Sequence, residues 1–375
     1  MISTKRRQHW TKLLVLFAAF GLTLVAVTSS SGLAAPAGAS ITDQSPATPG
    51  EAGNPKVFLP IVYAPPDVWG DAAPLMLGSY IDGWLAIQSD INSRLHAFDD
   101  WVEAVGGAPL SIAGAYVDIE TPNYPNYVTE QMQTAWSNGY TPFVNMTTDH
   151  AAYQIAQGDL DNELRAWAQA YADFSQNGLR IAFIAPLQEM NGNWVPYGLD
   201  PINYKLAYQH IQQIFIQEGV GMNEVLWTFA PNGWSRPWHP PFEDYYPGDA
   251  IVDVVSFSGY NFGNCDGGTW QSPSVVFGPY LDRMRTMAPS KPIFVSQTAS
   301  STAGGNKEAW IQSAYSYFEN QSNLRGVIYF NIDKECDWAI YKTWGSNQRA
   351  SEAYRSAVSS SAYGYTSPQQ LLNLP

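Results

Sequence analysis

The chain has 375 residues and a net charge of −14 at pH 7, from 33 Asp and Glu residues against 19 Lys and Arg residues. A surface this acidic repels phosphate backbones and anionic lipid, so the composition argues against nucleic-acid and membrane partners and suits a neutral ligand. Aromatic residues make up 14% of the chain and include 14 Trp, an excess that a large core and sugar-stacking platforms can both explain.

The first 39 residues have the pattern of a secretory signal peptide. An apolar run covers residues 13–27, and small residues then lead to an Ala-x-Ala pattern at 37–39. Four basic residues precede the run: Lys5, Arg6, Arg7 and Lys12. A membrane anchor is the alternative, but the run is short for a span and its downstream flank is small and polar. Cleavage would leave 15 basic against 33 acidic residues, a net charge of −18. We therefore expect an exported protein, secreted or at the cell surface, with no membrane contact after cleavage.

The rest of the chain divides by composition. Residues 40–55 are rich in Ser, Pro, Gly and Ala, which is typical of a flexible linker. With the short apolar piece that follows, they form a predicted linker and N-terminal segment over residues 40–70. Residues 71–358 are predicted to form a single domain, and residues 359–375 a loose C-terminal tail.

Within this domain, apolar runs alternate with segments of helical periodicity. Most of the runs are short and apolar throughout, as strands buried on both faces should be. The runs cover residues 74–80, 109–117, 141–146, 180–187, 224–230, 252–259, 292–297 and 326–331. One helical stripe repeats at intervals of four and three residues: Leu160, Leu164, Trp167, Tyr171 and Phe174. Asp200 followed by Pro201 predicts the start of another helix, which Gly219 ends.

Eight strands with intervening helices, in about 300 residues, predict an α/β fold, the closed (β/α)8 TIM barrel. An open doubly wound sheet is the alternative. However, the first strand is not followed by the Gly-rich phosphate loop, G-x-G-x-x-G, of that fold.

The two cysteines of the chain are Cys265 and Cys336. In an exported protein they can form a disulfide, which would close a loop of about 70 residues and contribute on the order of 4 kcal/mol, or they can remain free thiols. Histidine is scarce, and no His or Cys pair has metal-site spacing. We expect neither a metal nor a cofactor.

In barrels of this kind, functional side chains collect in the loops that follow the strands. Glu189 follows the fourth strand with amides and Trp194 beside it, and it could donate a proton to a sugar leaving group or merely form a salt bridge with a neighbouring loop. Other residues after the fifth, sixth and eighth strands could line a sugar cleft or pack as ordinary loops: Asn232 and Trp234, Tyr260, and then Asp333, Glu335, Asp337 and Trp338.

Four segments form a recognisable set: LQEMNG at 187–192, YPGD at 246–249 with GYN at 259–261, the strand that Lys291 opens, and Asp337 with Trp338. Together they resemble the glycoside hydrolases of family 26, best known as β-mannanases, over residues 75–341. The first is similar to the acid/base motif of the family and the second to another signature, while the third resembles the nucleophile strand and the fourth the motif after the eighth strand.

The resemblance implies a hydrolase of O-glycosyl bonds in a β-linked polysaccharide, with mannan as the first candidate substrate. It implies that Glu189 is the acid/base. It also implies substrate contacts from the residues around the cleavage point: Gln188, Asn191, Trp194, Tyr260 and Trp338.

Three positions depart from the family pattern. Ala185 stands where the family usually has Arg, and Gln188 where it usually has His. Gln297 stands where the family has its nucleophile Glu, at the end of the seventh strand. An amide keeps the shape of a carboxylate but lacks its charge and its nucleophilic oxygen, so double displacement should fail there.

Three functional hypotheses follow from this substitution. The protein can be a hydrolase of altered mechanism, either inverting with a base from Asp333, Glu335 or Asp337, or acting on a sugar whose own acetamido group attacks. It can instead be a carbohydrate-binding pseudoenzyme. The third hypothesis is a surface scaffold with a vestigial cleft.

Overall fold

The structure is a computed structural model that describes residues 68–70, 72–81, 91–121, 124–342 and 351–372. All of them belong to one compact unit that spans residues 62–375. The predicted signal peptide, and the predicted linker as far as residue 67, lie outside the described residues.

Parallel strands close into a barrel in the order of the sequence, and the last strand pairs with the first. The strands are β1 Met76–Ile81, β2 Leu110–Asp118, β3 Thr141–Thr147, β4 Phe183–Pro186, β5 Leu226–Phe229, β6 Val254–Asn261, β7 Ile293–Ser300 and β8 Leu324–Asn331. Each of the eight predicted apolar runs overlaps one of these strands. The predicted (β/α)8 TIM barrel is therefore confirmed.

Helices lie between the strands along the chain. The described residues include α1 Ile91–Glu103, α2 Tyr124–Ser137, α3 Ala152–Ala156, α4 Asp161–Ser175, α5 Pro201–Gln217, α6 Pro273–Met287, α7 Lys307–Phe318, α8 Glu352–Ala357 and α9 Pro368–Leu372. Short 3-10 turns occur at Met222–Glu224, Phe242–Tyr245 and Cys265–Gly267. Of the helices in the described part of the chain, none is both long enough and apolar enough to cross a membrane.

Two helices form for the reasons that their sequences predict. The side chains of the predicted four-three stripe are buried along α4 and at the residue before it. At the start of α5, the Asp200 carboxylate accepts a hydrogen bond from the Asn203 amide at 3.1 Å, and Pro201 is the first helical residue. Gly219 follows the end of this helix with a φ of 93°, a left-handed conformation that favours glycine.

Aromatic side chains fill the barrel near the first residues of its strands. The Phe183 ring packs against Phe143 with the centroids 5.5 Å apart and against Phe294 with the centroids 5.3 Å apart. Gly326 on β8 makes room for this cluster, because a Cβ atom there would lie 2.3 Å from the Phe294 ring. Since this end of the barrel is packed, ligand binding is left to the carboxyl-terminal ends of the strands.

The C-terminal segment is packed rather than loose, which corrects the expectation for residues 359–372. Tyr363 forms a β-bridge with Leu75, and its hydroxyl donates a hydrogen bond to the Tyr315 carbonyl at 2.5 Å. Leu371 on α9 is also buried. These contacts join residues far apart in the sequence, so the local composition of the segment could not predict them.

A buried carboxylate connects α1 to the start of β2 and to the residue before β3. Asp99 accepts hydrogen bonds from the Leu110 amide at 2.7 Å and from the Tyr140 hydroxyl at 2.8 Å. Burial raises the pKa of Asp99 to about 6, although both hydrogen bonds act in the opposite direction. The folded protein therefore binds this proton more tightly than the unfolded chain does.

We expect Asp99→Asn to remove a pH dependence of stability that the wild-type protein shows between about pH 4 and pH 6. The protonated carboxyl of Asp99 stabilises the fold at low pH, and this contribution is lost as the pH rises through the folded pKa. The free energy of unfolding of the wild type, relative to the variant, should fall by about 2 to 3 kcal/mol over this range.

Urea unfolding of both proteins at a series of pH values measures this difference, with Asp100→Asn at the exposed neighbouring position as the control. A difference between wild type and Asp99→Asn that stays constant with pH would contradict the assignment.

Candidate active site

The candidate site lies in the turn that follows β4, at the carboxyl-terminal end of the barrel. Leu187 and Glu189 have positive φ angles of 55° and 58°. This left-handed conformation costs a residue with a side chain about 1 to 2 kcal/mol. Neighbouring strands maintain it, because the Leu187 amide donates to the Met146 carbonyl at 2.8 Å. The Glu189 amide likewise donates to the Ala230 carbonyl at 2.8 Å. Strain held in place by surrounding hydrogen bonds is typical of functional sites.

Three donors fix the half-buried carboxylate of Glu189. Its Oε1 atom accepts hydrogen bonds from the Ser258 hydroxyl at 2.5 Å and from the Asn232 side-chain amide at 2.9 Å. Its Oε2 atom accepts a hydrogen bond from the Trp194 indole at 2.9 Å. The donors come from β6 and from the loops after β5 and β4. The carboxylate is therefore held in one orientation while it remains partly open to solvent.

Gln297 lies on β7, beside the serine that contacts Glu189. In the pairing of β6 with β7, Ser258 is the register partner of Gln297, and adjacent strands lie about 4.8 Å apart. The Gln297 carbonyl oxygen accepts a hydrogen bond from the Tyr260 hydroxyl at 2.8 Å, and its NH2 group donates to the Gln188 oxygen at 3.3 Å. Glu189 and Gln297 are therefore neighbours at this end of the barrel, connected through Ser258 and Gln188, and the group of residues around them is called the pocket below. Gln297 itself is only 4% exposed.

Tyr260 stays protonated and orients the amide of Gln297. Burial raises the pKa of Tyr260 well above its ordinary value, and the negative charge of Glu189 raises it further. A protonated phenol donates to the amide oxygen, which turns the NH2 group of Gln297 towards Gln188. The hydrogen bonds of Gln297 are thus made by neutral partners.

Three of the predicted substrate contacts are buried, Gln188, Asn191 and Trp338, and the structure gives the last two other roles. Asn191 is fully buried, and its side chain donates to the Asn232 carbonyl and accepts from the Asn232 amide, both at 2.8 Å. Trp338 is 1% exposed, and its ring centroid lies 5.3 Å from that of Tyr260 and 5.0 Å from that of Phe262. Asn191 therefore positions Asn232, and Trp338 supports Tyr260. Neither side chain is open to a sugar.

Two of the three predicted alternative bases are engaged in shaping loops. Asp337 accepts hydrogen bonds from the Ser301 hydroxyl at 2.9 Å and from both the amide and the hydroxyl of Thr302. Burial raises the pKa of Asp337, but these hydrogen bonds outweigh burial and hold the pKa below its ordinary value. Asp333 accepts a hydrogen bond from the Ala339 amide at 3.0 Å. Within the described ranges, no group of three or more His, Cys, Asp or Glu residues is placed to hold a metal.

The side chain of Glu335 is exposed, as is that of Asp333, whereas Asp337 is half-buried. The charge of Glu335 adds to burial and to the charge of Glu189 in raising the pKa of Tyr260. The next residue, Cys336, forms a disulfide with Cys265, and their Cα atoms are 6.1 Å apart. The bond joins the loop after β8, which carries Glu335, to the loop after β6, the strand that carries Tyr260.

Buried Lys307, the first residue of α7, anchors the loop after β8. Its ammonium group donates to the Trp338 carbonyl at 3.0 Å and to the Ala339 carbonyl at 3.1 Å. It also donates to the Asp337 carbonyl. Because Trp338 supports Tyr260, this lysine positions one wall of the pocket.

Three further residues in the neighbourhood of Glu189 are not apparent from sequence motifs. Ser258 lies inside β6, where the pattern of the strand predicts a buried position but no contact with Glu189. Tyr80 on β1 and Tyr116 on β2 have ring centroids 5.0 Å apart. Burial raises the pKa of both tyrosines, and the charge of Glu189 contributes to the increase. Polar and aromatic residues among the last positions of a barrel strand are the signal that could have identified them.

We expect Lys307→Met to lower the free energy of unfolding by about 2 to 4 kcal/mol, because it leaves buried carbonyl groups of the loop after β8 without a donor. Urea unfolding measures the loss, and near-ultraviolet circular dichroism reports any change in the packing of the aromatic side chains. Lys205→Met, at a half-buried position on α5, is the matched control. Equal stability of the two variants would show that Lys307 does not anchor the loop.

A sequence model of glycosyl hydrolase family 26 matches residues 68–334 of the chain. Endoglucanase H of Acetivibrio thermocellus is 28% identical over 298 residues, which cover 75% of this chain and 31% of that protein. A mannan endo-1,4-beta-mannosidase of Bacillus subtilis is 23% identical over 159 residues, which cover 34% of this chain and 42% of that protein. The chain thus spans about a third of the length of the first relative and less than half of the second.

Solved structures share the barrel. The GH26 domain of an endo-beta-mannanase/endo-beta-glucanase from Prevotella bryantii has a TM-score of 0.56 at 14% identity, covering 82% of this chain and 94% of that one. The catalytic domain of a GH26 endo-beta-1,4-mannanase from Bacillus sp. JAMB-750 has a TM-score of 0.57 at 16% identity, covering 77% and 85%. At these identities the likeness is one of fold.

Proposed function

The chain belongs to glycosyl hydrolase family 26, and from this we propose that it hydrolyses a β-linked polysaccharide, with Glu189 as the proton donor to the leaving-group oxygen. The observation that supports the proposal is the carboxylate of Glu189, held by three donors in a strained turn at the mouth of the barrel. A general acid needs such a fixed position to reach a glycosidic oxygen. Export directed by residues 1–39 is part of the same proposal.

Mannan and β-glucan are the proposed substrates. Mannan is suggested by the relatives named mannan endo-1,4-beta-mannosidase, and β-glucan by Endoglucanase H, which aligns with more of this chain. A neutral glycan also suits the acidic net charge, because it is not repelled.

We propose that Gln297 occupies the position of the nucleophile, which leaves an inverting route for hydrolysis. An amide cannot form a covalent glycosyl intermediate, whereas an inverting site needs a base about 6.5–9.5 Å from the acid with water between them. Glu335 is the proposed base. It is exposed beside the pocket, where its side chain forms a loose ion pair with Lys334 at 3.9 Å.

Carbohydrate binding without hydrolysis is the second candidate function. One specific observation favours it: Tyr260 and Gln188 satisfy the Gln297 amide with neutral hydrogen bonds. Such a pocket retains the shape needed to bind a sugar without a charge to stabilise an oxocarbenium-like transition state.

We expect the protein to release reducing ends from mannan or mixed-linkage β-glucan, and Glu189→Gln to lower that rate about 10²- to 10⁴-fold, since the amide has no proton to donate. Reducing-end assays on mannan, mixed-linkage glucan and xylan measure the rate. Glu130→Gln, at an exposed position on α2, is the matched control. An unchanged rate in Glu189→Gln would remove Glu189 from the mechanism.

If the wild type releases nothing, oligosaccharide binding by calorimetry would favour the second candidate, and absence of binding would favour a scaffold.

We expect Gln297→Glu to raise hydrolysis at least about tenfold, because it supplies the second carboxylate of a double displacement. Gln297→Ala is the control, since it removes the amide without adding a charge and should show no gain. In the same assay, Glu335→Gln should abolish the wild-type activity but leave the activity of Gln297→Glu intact. A folded but inert Gln297→Glu variant would count against position 297 as the nucleophile position.

A further inference from the structure

Two tryptophans on the loop after β5 are exposed to solvent. Trp234 is 53% exposed and Trp238 is 73% exposed. A single exposed aromatic residue is common on protein surfaces. Two within five residues of one loop, next to a candidate active site, indicate a binding surface, because aromatic side chains contribute much of the energy of recognition.

The loop is connected to Glu189 by direct hydrogen bonds. The Asn232 side-chain oxygen accepts a hydrogen bond from the Trp234 amide at 2.8 Å, and its NH2 group donates to Glu189 at 2.9 Å. Asn191 holds the backbone of Asn232 on both sides. The start of the loop is therefore fixed relative to the acid, and Trp234 is connected to Glu189 through a single side chain, that of Asn232.

The indole ring of Trp238 is held in place by its own loop. The Arg236 guanidinium lies over the ring, 5.3 Å from its centroid, within the range of a cation–π interaction. The His239 ring packs almost perpendicular to it, with the centroids 6.2 Å apart. A backbone hydrogen bond from His239 to Arg236 at 2.9 Å closes the turn. Much of the ring remains open to a ligand, and little side-chain freedom would be lost on binding.

We propose that Trp234 and Trp238 form an outlying sugar-binding platform, on which a β-linked polysaccharide stacks beyond the sugar rings that flank the bond next to Glu189. The inference rests on the proposed function for the nature of the ligand. The C–H faces of sugar rings are apolar and pack on indole rings, and a neutral chain is not repelled by a protein with a net charge of −14. The platform gives the site a preference for long chains over short ones.

Binding is measured by calorimetry in the Glu189→Gln protein, so that hydrolysis does not consume the ligand. The probes are a hexasaccharide and a trisaccharide of β-1,4-linked mannose, and the same lengths of β-glucan. Adding Trp238→Ala should weaken hexasaccharide binding about tenfold and leave trisaccharide binding unchanged, as expected for loss of one aromatic anchor. Trp234→Ala should act in the same direction. Ile202→Ala, at a position on α5 that is 70% exposed, is the control for loss of an exposed apolar side chain.

Hexasaccharide affinity that survives both tryptophan substitutions overturns the platform, and so does an equal loss for both chain lengths. Absence of binding by every chain also overturns it. A tryptophan substitution that changes only the sedimentation of the protein would assign the surface to self-association instead. Because the readout is binding by a variant without the proposed acid, a selective loss of long-chain affinity supports the platform even if the wild type hydrolyses nothing.

Discussion

The register of β6 on β7 is the constraint on which the pocket depends. It pairs Ser258 with Gln297, and the ladder shifts just before this pair, between Phe257 and Ser258. Because side chains alternate along a strand, a slip of one residue would turn Ser258 away from Glu189 and Gln297 away from Gln188. Irregular pairing next to a functional site commonly re-aims side chains in this way. The relative placement of the acid and the amide is therefore set by backbone hydrogen bonds of the barrel.

Asn232 connects these hydrogen-bonded residues to the loop after β5, at the rim of the site. Its backbone is held by Asn191, its NH2 group donates to Glu189, and its side-chain oxygen accepts from the Trp234 amide. One side chain thus connects the strained turn after β4 with the loop that carries the exposed tryptophans. Since a buried polar group that loses its partner costs about 1 to 3 kcal/mol, these contacts hold each other in place. The orientation of the acid and the position of the proposed platform are physically coupled.

The barrel could be predicted because its causes are local in the sequence. Strands buried on both faces are apolar throughout, and the carboxyl end of each strand marks where a residue such as Glu189 should lie. The roles of Asn191 and Trp338 could not be predicted in the same way. Asn191 is buried by a partner 41 residues away, and Trp338 packs against an aromatic residue on a different loop. Tyr363 docks through similarly distant contacts. Motifs identify residues near a site, but burial decides which of them can contact a ligand.

The amides at positions 188 and 297 have to be understood together, because they contact each other. The NH2 group of Gln297 donates to the oxygen of Gln188, and Tyr260 satisfies the other end of the Gln297 amide. With a carboxylate at 297, two oxygens would face each other unless the Gln188 side chain turned over. The pocket is thus adjusted to a neutral group and is not left with a broken hydrogen bond. On the proposed assignment of Gln297 to the nucleophile position, such a pocket keeps a ligand-binding shape, and inverting hydrolysis in it would need a carboxylate from a neighbouring loop. The disulfide between Cys265 and Cys336 joins the loops after β6 and β8, and the carboxylate that we propose for this role is that of Glu335, next to Cys336.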